Sequence, residues 1–291
     1  MQYKTGVILL ILAGILWSLM GLTIRLLDQA TTWQILLWRP IGMIPVLAGT
    51  IWWRSGGVIR PLVQTGWAGV VGGLGLGAAF AGAVYAIQTT TIANAVFLFS
   101  ASPFFSAVLG WVLLRERVRP ATWLAIAVAV LGMAIMVREG ANAGAMAGNL
   151  AAIGSALGLA VFTVTVRWGK LADMLPAVIL AGLFSMGVAA VVLTGQGQPL
   201  APSAQDAAII VAVGAVILGV GMILFTLGSR VVPAAEATLL TMLEVILGPV
   251  WVWLLLSESA SLMTFVGGGV VLCAVALNAA TGLRQSSPNP A

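Results

Sequence analysis

Uninterrupted apolar stretches of membrane-crossing length run through this chain, and they decide what it can fold into. Residues 66–87 and 207–227 hold no charged side chain. Each matches the roughly 20 residues a helix needs to cross about 30 Å of hydrocarbon. A membrane β-barrel would instead be written as segments of about ten residues with alternating polarity, and these blocks do not alternate. With only 7% charged residues against 61% hydrophobic, the chain also cannot clothe a soluble domain, which carries about 25% charged residues. The sequence therefore describes an all-α, polytopic membrane protein whose surroundings are a lipid bilayer.

Ten spans are expected at about 6–24, 32–53, 66–87, 92–114, 121–137, 148–168, 174–194, 206–228, 233–256 and 261–281, with the break at Thr89–Thr91 the least marked. The first follows Lys4, is too long for a signal peptide and has no small-residue cleavage site, so it reads as retained. Sides are assigned alternately from a cytoplasmic N-terminus. That side receives Lys4, Arg54, Arg60, Arg115, Arg117, Arg119, Arg167, Lys170, Arg230 and Arg284, and the other receives Arg25 and Arg138, with Arg39 inside the second span. Lys/Arg asymmetry in short loops sets orientation. The expectation is an integral protein of the bacterial inner (plasma) membrane, with both termini inside. The formal charge of +5 is scattered singly rather than gathered on one face, so no nucleic-acid partner is implied.

The chain also repeats itself. Arg25 matches Arg167 and Glu116 matches Glu258, each pair 142 positions apart (167 − 25 and 258 − 116). At the same offset residues 86–116 align without gaps on 228–258, with Trp111 on Trp253 and Leu113–Leu114 on Leu255–Leu256. Five spans per half is an odd number, so the second half must enter the membrane upside down. Inverted repeats around a midplane site are a recurring plan of secondary transporters. The expected units are 1–140, an inverted 143–284 and a short cytoplasmic tail over 285–291.

The two segments Ala93-Asn94-Ala95 … Pro103 … Trp111 … Leu113-Leu114-Arg115-Glu116 and Ala235-Glu236-Ala237 … Glu244 … Trp253 … Leu255-Leu256-Ser257-Glu258 resemble the paired signature of the drug/metabolite transporter superfamily, EamA type. The resemblance spans the chain and implies a ten-helix carrier of small organic solutes. In one place the sequence departs from the pattern. Val245 stands where the family places proline, and Pro249 follows one turn later, which predicts a displaced kink in the ninth span. The Glu244–Trp253 stretch and the abundance of Trp are similar to exporters of aromatic amino acids.

Ionisable groups inside a membrane are costly, so Arg39, Glu236 and Glu244 draw attention. Ala237, Thr241, Glu244 and Gly248 share one helical face, and their repeat partners are Ala95, Phe99, Ser102 and Ser106. Two such faces can line one cavity; Glu244 can equally be a structural carboxyl bonded between helices. Arg39 has three readings: attraction of a substrate carboxylate, an ion pair with Glu244, or a long stem snorkelling to an interface. Glu236 reads as a first-turn carboxylate favoured by the helix dipole, and Glu116 as paired locally with Arg115, Arg117 or Arg119. Trp17 and Tyr85 can stack on a planar substrate or simply pack. With Asn94 from the first signature, the cavity candidates are Trp17, Arg39, Tyr85, Asn94, Phe99, Ser102, Thr241 and Glu244.

Trp33, Trp52, Trp53, Trp67, Trp123 and Trp168 fall at span ends, as an interfacial belt requires. The spacings Gly69/Gly73 and Gly73/Gly77 suit close helix contacts. No histidine and a single cysteine, Cys273, leave no metal site and no catalytic nucleophile paired with a base. No P-loop is present, so no cofactor and no ATP-binding subunit are implied. The sequence thus reads as a secondary transporter, and an exporter, of small organic metabolites, amino acids first among them. A channel is the alternative, and an intramembrane enzyme the remote one.

Overall fold

The structure is a computed structural model that describes residues 2–142, 145–171 and 173–286. Among these residues there is no β-strand, and ten helices are long and apolar enough to cross a membrane. They are α1 (Tyr3–Arg25), α2 (Thr32–Ser55), α3 (Gly66–Thr89), α4 (Ile92–Leu114), α5 (Pro120–Asn142), α6 (Met146–Trp168), α7 (Leu175–Gly195), α8 (Ala204–Gly228), α9 (Ala234–Thr241, then Leu243–Leu256) and α10 (Leu262–Ser286). A short helix, Ile59–Gln64, joins α2 to α3. The expected unit boundary at 143 and the tail beyond 286 lie outside the described residues.

Local chemistry sets the boundaries. The Thr31 hydroxyl accepts from the Gln34 amide at 3.3 Å while the Gln34 side chain accepts from the Thr31 amide at 3.0 Å. This capping box starts α2, and Gly56, at φ 70°, ends it. The weakly marked break between α3 and α4 is real. Thr90 is extended, and the Thr91 hydroxyl caps α4 by accepting from the Asn94 amide at 3.2 Å. Ser203 caps α8 in the same way, accepting from Asp206 at 3.1 Å.

The hydrogen bonds at the helix ends define two faces. On the N-terminal face the Tyr3 hydroxyl donates to Glu236 at the start of α9, and Arg54 at the end of α2 meets Asp173 before α7 at 3.4 Å. The helix-dipole reading of Glu236 therefore gains a partner on α1. On the far face Gln88 donates to the Ala30 carbonyl at 3.0 Å. Asp206, fully buried, accepts from the Asp28 and Gln29 amides, each at 3.2 Å.

Small residues decide how closely the helices pack. A Cβ on Gly75 would sit 3.0 Å from the Gly158 carbonyl, and one on Gly82 2.6 Å from that of Ala151, so α3 lies backbone-close on α6. Gly73 and Gly77 bring α3 equally close to Ala181 of α7, 3.3 Å in each case. Without a hydrophobic force between helices in lipid, such close van der Waals packing drives association. α5 and α10 pair with each other through Gly132 and Gly267. Asn278 fastens them further by accepting from the Thr122 hydroxyl at 2.7 Å. Trp52, Trp53, Trp67 and Trp168 are exposed at helix ends, where a belt would be. α8 holds a feature that its sequence did not announce, a π-helical stretch at Val213–Val220 laid against α2.

Candidate functional site

The site is framed by two helices that break at the same place. α4 runs over Ile92–Phe99, is interrupted at Ser100 and Ala101, and resumes at Ser102–Leu114. α9 runs over Ala234–Thr241, is interrupted at Met242, and resumes at Leu243–Leu256. Adding 142 to 92, 99 and 114 gives 234, 241 and 256, the corresponding bounds of α9. Pro103 explains the first break, since its ring removes a helical donor. The second break has no such proline. Pro249, where the displaced kink was expected, lies within the second segment, beyond the break. At the break the Val245 amide turns back to the Met242 carbonyl at 3.0 Å in a tight i→i+3 turn. Gly14 of α1 packs there directly on backbone atoms of Leu240 and Thr241, a notional Cβ lying 3.4–3.5 Å away. Tertiary packing holds the break that the sequence no longer encodes.

Glu244 falls in the first turn of the second α9 segment, where the helix dipole favours a carboxylate. Among the described residues its side chain makes no hydrogen bond or ion pair. α1 contacts α9 on both sides of it. Gly14 meets Leu240 and Thr241, and the Ser18 hydroxyl accepts from the Trp251 indole at 2.9 Å. Ser18 and Trp251 were not among the candidates, and the polar-aromatic match across two helices has no signature in sequence spacing. Trp17, one residue earlier, has its ring centre 5.4 Å from that of Phe225 of α8, and its indole N–H is buried without a hydrogen-bond partner among the described residues. Trp17, Thr241 and Glu244 thus stand along one α1–α8–α9 region. Phe99 and Ser102 flank the break in α4, both half-buried.

Three candidates, Tyr85, Asn94 and Arg39, lie elsewhere. Tyr85 on α3 is 41% exposed, and among the described residues its hydroxyl makes no hydrogen bond. Asn94 belongs to a buried polar cluster that ties α4 to α6 and α10. Its side chain donates to Asn149 at 2.9 Å and accepts from Thr264 at 3.1 Å, and the Thr90 hydroxyl also donates to Asn149, at 3.0 Å. Bonds of this kind hold transmembrane helices together.

Arg39 neither snorkels nor pairs with Glu244. It is 3% exposed, its guanidinium carbon lies 4.7 Å from the centre of the Phe80 ring, and among the described residues Nε and one terminal nitrogen have no hydrogen-bond partner. The ion pairs among the described residues are Arg25–Glu258 at 3.0 Å, Arg54–Asp173 at 3.4 Å and Arg167–Glu116 at 2.9 Å. Glu116 therefore turns to α6 rather than to its neighbouring arginines. Arg25 and Glu258 are the 142-residue counterparts of Arg167 and Glu116, and the two pairs lie on opposite faces. The far-face pair is the more elaborate. Arg25 also donates to the Thr90 carbonyl at 2.7 Å, and Glu258 accepts from the Ile92 amide at 2.9 Å.

Ten apolar spans, two matched broken helices and two matched ion pairs define an integral membrane protein of the drug/metabolite transporter class. The chain belongs to the EamA-like transporter family, whose model matches residues 4–138 and again residues 146–280. Human solute carrier family 35 member G1 is 24% identical over 96% of this chain and 79% of its own length. A Pseudomonas aeruginosa protein described as an uncharacterized transporter is 30% identical over 46% of each chain. A crystal structure of a protein with 18% identity overlays 96% of this chain and 99% of its own at a TM-score of 0.68, which is a likeness of fold.

Proposed function

We propose that this protein is a secondary transporter that exports small organic metabolites, amino acids foremost, by alternating access around a midplane cavity walled mainly by α1, α4, α6 and α9, with help from α2, α3, α7 and α8. The mirrored ion pairs carry this reading. A carrier of this kind needs a gate at each face, and inverted repeats supply the same gate twice. Arg25–Glu258 is the far-face latch and Arg167–Glu116 the N-terminal-face latch. The breaks in α4 and α9 lie between them, where irregular backbone is tolerated only if it is buried in protein or lines a cavity. Glu244 and the unpartnered Trp17 indole are the groups offered to the solute, and the aromatic lining favours apolar or aromatic side chains. The Lys/Arg excess on the N-terminal face supports a cytoplasmic position for that face.

The test is flux in proteoliposomes against a panel of amino acids and other metabolites. Saturable uptake that is accelerated by the same solute on the other side supports a carrier. Flux that is linear in concentration and indifferent to counter-solute belongs to a channel and would overturn the reading. For orientation, Ser259→Cys in a Cys273→Ala background should react with an impermeant maleimide from outside the cell, whereas Arg117→Cys should react only after the membrane is opened.

A further inference from the structure

Arg39 is a buried cation that neither the gates nor the Glu244 region uses. It sits on the second turn of α2, buried within the bundle and stacked on Phe80, with two guanidinium nitrogens unpartnered. A buried cation without a counter-charge is expensive, and such groups persist where function needs them. The helices packed most extensively on α2 are α3, α7 and α8, and among their spans the only charged side chain is Asp206. Both Asp206 oxygens already accept the loop amides of Asp28 and Gln29.

The surrounding backbone is built to keep Arg39 where it is. A Cβ on Gly214 would collide with the Arg39 carbonyl oxygen, and one on Gly42 with that of Val211. Only glycine lets the π-helical stretch of α8 seat on the turn that carries Arg39. π-helical turns inside helices gather at functional sites, and this one lies against the unpaired cation. Arg39 also lines a void of about 10 Å³, together with Thr23, Ile35, Ile209, Ile210 and Val213, room for about one water molecule.

We propose that Arg39 is the anion anchor of the transport pathway, and that it takes the carboxylate of the solute when α2 and α8 move apart. This rests on the carrier reading above. A planar guanidinium matches a carboxylate with two parallel hydrogen bonds. One arginine among isoleucine and valine side chains balances a monoanion but leaves a phosphate dianion half-compensated. Burial inside the bundle keeps lipid headgroups away. The substrate class is therefore a small organic monocarboxylate or zwitterion.

Binding to the full-length protein in nanodiscs tests this without requiring transport. The probes are acetate, benzoate and L-phenylalanine, each beside its neutral carboxamide, and inorganic phosphate. The readout is the saturable rise in thermal unfolding midpoint. The expected result is stabilisation by at least one carboxylate over its amide and over phosphate. Its half-saturation should rise about tenfold or more in Arg39→Gln and less in Arg39→Lys. The proposal is overturned if no carboxylate exceeds its amide on the wild-type protein, if phosphate is the preferred anion, or if Arg39→Gln binds carboxylate unchanged. Should Arg39→Gln fail to fold, the wild-type comparison and Arg39→Lys still decide. Carboxylate binding without counterflow would sink the carrier reading and leave the anchor standing. Counterflow of neutral or cationic solutes alone would do the reverse.

Discussion

Arg25 and Glu258 join the far ends of α1 and α9 at 3.0 Å, while their counterparts Arg167 and Glu116, each displaced by 142 positions, join the ends of α6 and α4 at 2.9 Å on the opposite face. The two latches are not equally armed. The far-face side chains are 27% and 21% exposed and share two further backbone hydrogen bonds, whereas those of the N-terminal face are 44% and 42% exposed. Solvated ion pairs contribute about 0–1 kcal/mol, and shielding from water raises the figure.

Glu258→Gln should therefore disturb the resting arrangement more than Glu116→Gln does. Ala93, 3% exposed, lies beside Glu258 in a far-face cavity of about 340 Å³. In an Ala93→Cys, Cys273→Ala background, Glu258→Gln should raise the maleimide labelling rate about fivefold, the equivalent of about 1 kcal/mol. Glu116→Gln should leave that rate unchanged or lower it.

The break in α9 is held by packing on α1 rather than by proline. Val245→Pro restores the residue found at the matching position in α4 and gives up one hydrogen bond, that from Val245 to Met242. It should cost no more than about 1 kcal/mol in thermal unfolding. Leu240→Pro, inside the first segment, should cost about 3 kcal/mol or more.

Much of this was legible beforehand because lipid imposes length and composition rules on every span. The ten helices and the glycine contacts of α3 with its neighbours follow from such rules. What escaped depends on which side chains meet across helices. Glu116 is surrounded in sequence by Arg115, Arg117 and Arg119, yet it pairs with Arg167 on another helix. Asn94 stands in a signature motif, yet its amide serves the cluster with Asn149 and Thr264. The π-helical stretch of α8 is set by backbone contact with α2, and a run of Val, Gly and Ile gives no hint of it.

The α2–α8 contact makes a sharp contrast among glycines. Gly42→Ala and Gly214→Ala push a methyl group into backbone and should lower the unfolding midpoint strongly or prevent insertion. Gly187 has nothing within 4 Å of a notional Cβ, so Gly187→Ala should be neutral, or stabilising by up to about 1 kcal/mol. Equal effects at Gly187 and Gly214 would mean that the close approach of α2 to α8 is absent in solution.

Glu244→Gln separates charge from shape at the broken helix. Gln keeps the size and hydrogen-bonding capacity of the carboxyl but cannot titrate. Transport should fall strongly across a pH series while expression and unfolding midpoint stay near wild type. Unchanged transport at every pH would make Glu244 a structural group.

The central claim is that two mirrored gates must open in turn for a solute to cross. Arg25→Cys and Glu258→Cys in a Cys273→Ala background can be bridged by a short bis-methanethiosulfonate linker that a thiol reductant removes. Counterflow in proteoliposomes is then measured before bridging, after it and after release. The account predicts saturable counterflow that falls to background when the far-face latch is bridged and returns on reduction. Counterflow that proceeds undiminished through the bridged protein would contradict it.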